Sequence, residues 1–211
     1  MVEVLRKLKD IVKPAHTALI IVDAQNDFCS IQGLMAKQKL NVARVQPAVD
    51  RLNYFVKECR KVGVLVVWIK EVFGKGKVLP NLISHYGDEK TVGENRCVKE
   101  GGKGAELYSK IIPPEKGEPI VIKWLYDGFE DTDLHLTLQS AGINTLLVAG
   151  FITNCCVETT ARHGFIKGYY ILLVSDCTDT YTQEEYDATL HNIRTYFGKV
   201  ATSDEIATLW K

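Results

Sequence analysis

Apolar positions along the chain follow two rhythms that alternate. Consecutive runs of aliphatic and β-branched residues occur in "TALIIVD" (Thr17–Asp23), "VLVVWIK" (Val64–Lys70), "EPIVIK" (Glu118–Lys123), "NTLLVAG" (Asn144–Gly150) and "GYYILLVSD" (Gly168–Asp176), with a shorter run in "KVATSD" (Lys199–Asp204). Runs of this length and composition predict strands buried on both faces. Between them the period changes to that of a helix. Val45, Val49, Leu52, Phe55, Val56 and Cys59 share one face, and Gly63 supplies the stop. Helices are also predicted for Thr132–Gly142, Thr153–Lys167 and Glu184–Phe197, and after the last strand. The first helix is predicted over Val2–Val12, with Val2, Leu5 and Leu8 placed to pack on the body or on a partner subunit.

Six strands alternating with helices predict an α/β protein with a mostly parallel, doubly wound, six-stranded sheet in a three-layer αβα, Rossmann-like arrangement. One domain over 1–211 is expected, with residues 1–14 as an N-terminal helix. Residues 71–104 break the pattern with "FGKGKVLPN", "GEN" and "EGGKG". A stretch so long with little periodicity is expected to be a lid or specificity loop.

Composition narrows the function classes. The 211 residues carry 26 Lys and Arg against 26 Asp and Glu, a net charge of zero, so no nucleic acid is expected as partner. No apolar run reaches the length that spans a bilayer, and "MVEVLRKLKD" lacks a signal-peptide core, so a cytoplasmic protein without membrane association is expected. Cys29, Cys59, Cys97, Cys155, Cys156 and Cys177 are then expected as reduced thiols, and no C-x-x-C pair is present.

In parallel sheets ligands bind beyond the carboxyl ends of the strands. The first strand ends at Asp23, the third at Lys123, and the fourth at Gly150, just before Cys155 and Cys156. A carboxylate, an ammonium and a thiol therefore meet at one sheet edge if those strands are neighbours. A helix start and a nearby Lys favour a thiolate, and a carboxylate beside it can exchange a proton with thiol and leaving amine. That set suits hydrolysis of an amide through an acyl-thiol intermediate. Position alone leaves open which of the two cysteines reacts.

"IVDAQNDF" (Ile21–Phe28), "IKWLYDGF" (Ile122–Phe129) and "GFITNCCVETTARHGF" (Gly150–Phe165) together resemble the isochorismatase-like cysteine hydrolases. The resemblance runs from about Thr17 to the C-terminus. It implies that fold, with Asp23, Lys123 and Cys156 as catalytic residues, the cysteine directly before Val157 being the nucleophile. It further implies a cis peptide between Phe151 and Ile152, an oxyanion hole from the N–H groups of Ile152 and Cys156, and a substrate pocket containing Phe28 and Tyr126. Dimers or tetramers in related proteins imply a homodimer or homotetramer.

Departures from the family narrow the choice. Metal-binding nicotinamidases follow the second strand with an Asp-x-His pair, whereas this chain has "IKEVFGKGKV", so no metal or other cofactor is expected. The stretch Leu125–Asp179 and "HNIRTYFGKVAT" resemble the ureidoacrylate branch, close to N-carbamoylsarcosine amidases and biuret hydrolases. The expected substrate is a small ureido or carbamoyl amide. A metal-free nicotinamidase-like amidase and a catalytically silent binding protein are the alternatives. Lys75, Lys77, Lys99 and Lys103 of the lid are candidates for holding a substrate carboxylate.

Overall fold

Alternation across the strands sets the layers. The computed structural model describes residues 4–74, 79–87 and 96–211. β1 (Thr17–Val22), β2 (Leu65–Glu71), β3 (Ile120–Lys123), β4 (Thr145–Phe151), β5 (Tyr170–Asp179) and β6 (Gly198–Ala201) form one sheet in the order β3-β2-β1-β4-β5-β6. Every pairing is parallel. Side chains of successive strand residues point to opposite faces. Leu19, Ile21, Val66, Trp68, Leu147 and Ala149 accordingly pack with the helix Val45–Lys61 and with Ile206 of the last helix. Ile20, Val67, Ile69, Leu146 and Val148 pack on the other face with the helices Leu134–Ser140, Glu158–Ile166 and Gln183–Asn192.

The strand order reverses direction at β1, which lies between β2 and β4. Chain crossovers leave to opposite sides there and open a crevice beyond the carboxyl ends of β1 and β4. Close approach across this junction depends on Gly150. Its φ is +107°, and a Cβ there would lie 2.0 Å from the carbonyl oxygen of Val22.

Three expectations need correction. The terminal helix is a single turn, Leu8–Ile11, because Pro14 and the short 3-10 turn Pro14–His16 redirect the chain into β1. Leu5, Leu8, Ile11 and Val12 of this segment pack on the body, whereas Val2 lies outside the described residues. Residues 71–104 contain a helix, Pro80–Tyr86, begun by Pro80 at its first position and closed by Gly87 at φ +110°. The helix predicted over Thr153–Lys167 is a π-type turn, Thr153–Val157, continued by the α-helix Glu158–Ile166. All six cysteines are free thiols, and among the described residues no helix is long and apolar enough to cross a membrane.

Replacing Gly150 by Ala forces a Cβ into the β1 backbone at a left-handed φ. Urea unfolding is expected to show a loss of roughly 2–5 kcal/mol. A change below about 0.5 kcal/mol, the range of neutral surface substitutions, would contradict this packing.

Candidate active site

Register places the first two charges. β2 and β3 pair Glu71 with Lys123 at their last residues. Asp23 follows β1 directly, in a left-handed conformation with φ +48°, and its N–H is held by the carbonyl of Ile69 at 2.9 Å. Asp23, Glu71 and Lys123 are all buried. Lys123 Nζ lies 2.7 Å from Asp23 Oδ2 and 3.4 Å from Glu71 Oε2, and it donates to the carbonyl of Leu125 at 2.7 Å. Three acceptors thus surround the three N–H bonds of the ammonium.

The thiol arrives from β4. The Phe151–Ile152 peptide is cis, and the following π-type turn is closed by Val157 N–H on the carbonyl of Ile152 at 3.4 Å. Thr153 Oγ1 and Thr178 Oγ1, 2.7 Å apart, fix the start of that turn to β5. Single π-type turns of this kind re-aim side chains within helices. Here Cys156 points inward, buried, with Sγ 3.7 Å from Glu71 Oε2. The reactive atoms of Asp23, Glu71 and Cys156 all lie within 4.8 Å of one another.

Glu71 is missed as a site residue because the sequence ends the second strand at Lys70 and assigns Glu71 to the 71–104 loop, whereas β2 runs to Glu71. Carrying the strand to its pairing limit would have found it. Gln25 holds this strand end as another strand would: it donates to the carbonyl of Glu71 at 2.7 Å and accepts from its N–H at 2.9 Å. Its amide also donates to the carbonyl of Ala105 at 2.9 Å. Asn26 donates to the carbonyl of Lys103 at 2.8 Å, and the Asp27 carboxylate accepts from Leu34 N–H at 2.9 Å and Val98 N–H at 2.7 Å. The polar run "QND" therefore anchors the segment 98–105.

Above the cysteine lies a cavity of about 310 Å3. Phe28, Tyr126 and Ile152 line it, together with Glu71, Arg96, Cys155 and Cys156. Aliphatic side chains of Leu34, Met35 and Leu40 complete its apolar wall. Lys99 and Lys103 are exposed, whereas Lys75 and Lys77 lie outside the described residues. Among the described residues of 71–104 the cation that reaches the cavity is Arg96, whose Nη2 is 3.6 Å from Glu71 Oε1.

These contacts set the protonation states. Burial raises the Asp23 pKa, the Lys123 ammonium pulls it back, and the Glu71 carboxylate raises it again, leaving it at about 6. Burial opposes the charge on Lys123, but the carboxylates of Asp23 and Glu71 outweigh it and hold the ammonium charged. Contact with Cys155 and burial push the Cys156 thiol well up, against the pull of Lys123. The expected resting thiolate is thus replaced by a thiol beside a carboxylate that is ionised at neutral pH.

Two groups of metal-type side chains are present among the described residues. In the first, Asp23, Glu71 and Cys156, the Lys123 ammonium lies against both carboxylates. The second is Asp127, Glu130 and His163, in which His163 Nδ1 hydrogen-bonds to Asp127 Oδ2.

A buried acid, an ammonium and a thiol thus lie together at the switch point of a parallel sheet, where such folds bind ligands. The isochorismatase domain matches residues 17–205, and the chain belongs to that family. It is 33% identical over 202 residues to ureidoacrylate amidohydrolase RutB of Enterobacter sp. (strain 638), covering 90% of this chain and 86% of the relative. RutB of Acinetobacter baylyi is 31% identical over 212 residues, with 94% and 85% covered. Among solved structures, a cysteine hydrolase from Pseudomonas syringae pv. phaseolicola superposes with a TM-score of 0.80 at 24% identity, covering 93% of each chain. N-carbamoylsarcosine amidase from Thermoplasma acidophilum superposes at 0.70 and 24% identity, over 90% of this chain and 97% of that one. These superpositions establish the shared fold.

Glu71 raises the Asp23 pKa, so Glu71→Gln is expected to move the Asp23 titration below 6. Carboxyl-selective NMR of the two proteins reads this directly. An unchanged or raised value would contradict the charge arrangement.

Proposed function

We propose that the chain is an amidohydrolase that cleaves a C–N bond of a small ureido or carbamoyl amide through an acyl intermediate on Cys156. One observation carries the reading. The Cys156 thiol lies within 4.8 Å of a buried carboxylate whose pKa of about 6 suits proton exchange near neutrality. The RutB relatives, named for ureidoacrylate amidohydrolysis, support the ureido substrate class.

Asp23 takes the proton of Cys156 as Sγ forms a bond to the carbamoyl carbon of R–NH–CO–NH2. The carbonyl π electrons move to oxygen, and the N–H groups of Ile152 and Cys156 receive the oxyanion. Collapse breaks the C–N bond, and Asp23 returns its proton to the departing amine R–NH2. Water, deprotonated by Asp23, then adds to the carbamoyl-thiol. The C–S bond breaks, the thiol is re-formed with that proton, and carbamate leaves. Throughout, Lys123 fixes the Asp23 carboxylate and offsets its charge. Phe28 and Tyr126 bound the space in which the substrate lies.

Cys156→Ala is expected to lower ureide hydrolysis by at least about 10⁴-fold, the scale on which loss of a nucleophile acts. Cys155→Ala keeps most of the activity. Ammonia and amine release from 3-ureidoacrylate, biuret and nicotinamide measures both variants, and turnover of nicotinamide alone would overturn the ureido assignment. In kcat/KM against pH, activity falls below about pH 6, because protonated Asp23 can no longer accept the thiol proton. Activity that persists undiminished to pH 4 would remove Asp23 from this role.

A further inference from the structure

Arg96 is the one lid cation whose side chain the described residues place against the cavity, and no proton transfer in the reaction uses it. Its side chain is 8% exposed, and burial of a guanidinium requires compensation. The aromatic faces supply part of this. The guanidinium lies over the Phe73 ring at 4.7 Å and the Tyr86 ring at 5.6 Å. Tyr86 is held in turn by a hydroxyl contact with Tyr126. Stacking leaves the in-plane N–H bonds of the guanidinium to seek acceptors at its edge.

Among the described residues those acceptors are incomplete. Arg96 Nε is buried with no hydrogen-bond partner there, and so is Glu71 Oε1. The two groups approach at 3.6 Å, beyond hydrogen-bond distance. Glu71 divides its charge, since its other oxygen lies 3.4 Å from Lys123 Nζ. Among the described residues the Nε–H therefore has a charged neighbour in Glu71 without a hydrogen bond to it. A planar anion matching its fork would supply what is missing.

We propose that Arg96 is a specificity-determining residue that receives a carboxylate of the substrate, so that the preferred substrates are short ureido or amide acids rather than neutral amides. This rests on the hydrolase reading for the class of reaction, while the carboxylate preference stands on Arg96 alone. Glu71 spans the two functions, with Oε2 at 3.7 Å from Cys156 Sγ and Oε1 facing Arg96. The scissile carbonyl and the carboxylate are therefore separated by only a short linker. The apolar wall of Leu34, Met35 and Leu40 offers no competing cation.

Matched pairs test this: 3-ureidopropionate against 3-ureidopropionamide, and succinamate against succinamide, with wild type, Arg96→Lys and Arg96→Gln. Wild type is expected to prefer the acid in each pair it turns over. In Arg96→Gln that preference falls by roughly 10- to 150-fold, the range for hydrogen bonds to a charged group, and the loss appears in KM. Arg96→Lys, which keeps the charge but not the fork, falls between. Equal use of acid and amide by wild type overturns the proposal, as does an acid-to-amide ratio unchanged in both variants. Preference for succinamate with no ureide turned over would remove the ureido reading and retain Arg96. Calorimetry of both acids on Cys156→Ser protein gives an answer independent of turnover. Binding is expected there and is lost when Arg96→Gln is added; binding of neither acid to the Cys156→Ser protein overturns the proposal.

Discussion

The site depends on one buried contact, the 2.7 Å ion pair between Lys123 and Asp23. Burying either charge alone carries a large desolvation cost. Together, with the Leu125 carbonyl and Glu71 closing the ammonium's remaining valences, they are tolerated in the protein interior. The pair can form because β2 lies between β1 and β3, with Val22 paired to Ile69 and Lys123 to Glu71, so that Asp23, just past β1, faces Lys123 across β2. The strand register that builds the core is thus also the device that assembles the charges.

The Cys155 contact, followed by burial, raises the Cys156 pKa and favours the thiol, and the two carboxylates offset the opposing pull of Lys123. A lone buried Cys beside an ammonium would lean toward thiolate. Here Asp23 and Glu71 already neutralise Lys123. In the proposed reaction the nucleophile is made at the moment of attack by transfer to Asp23, whose own pKa of about 6 leaves it ionised and still basic. Glu71 tunes this exchange through its charge, and Gln25 fixes Glu71 through its backbone. Residues of the first motif therefore act on the chemistry from the strand below it.

Much of this was legible in the sequence because buried parallel strands are continuous apolar runs with abrupt ends. Asp23 and Lys123 stand out at such ends, and the Gly150 break announces the cysteine turn. Glu71 did not stand out, since a charge following Lys70 reads as the start of a loop until pairing with β3 shows otherwise. The helix Pro80–Tyr86 carried its own signals in Pro80 and Gly87, masked by the Gly- and Lys-rich residues around it. Arg96 could not be selected by pattern. Residues 71–104 have no period, and only the fold shows that Lys99 and Lys103 face solvent while Arg96 lies over Phe73 and Tyr86.

Covalent chemistry at Cys156 is the central claim, and intact-mass spectrometry of protein quenched during turnover of a ureido acid tests it most directly. The account predicts one added carbamoyl group, located by peptide mapping on Cys156 and absent from Cys156→Ala protein. The adduct on Cys155, or rapid turnover with no adduct under quench conditions that preserve a carbamoyl-thiol, would contradict it.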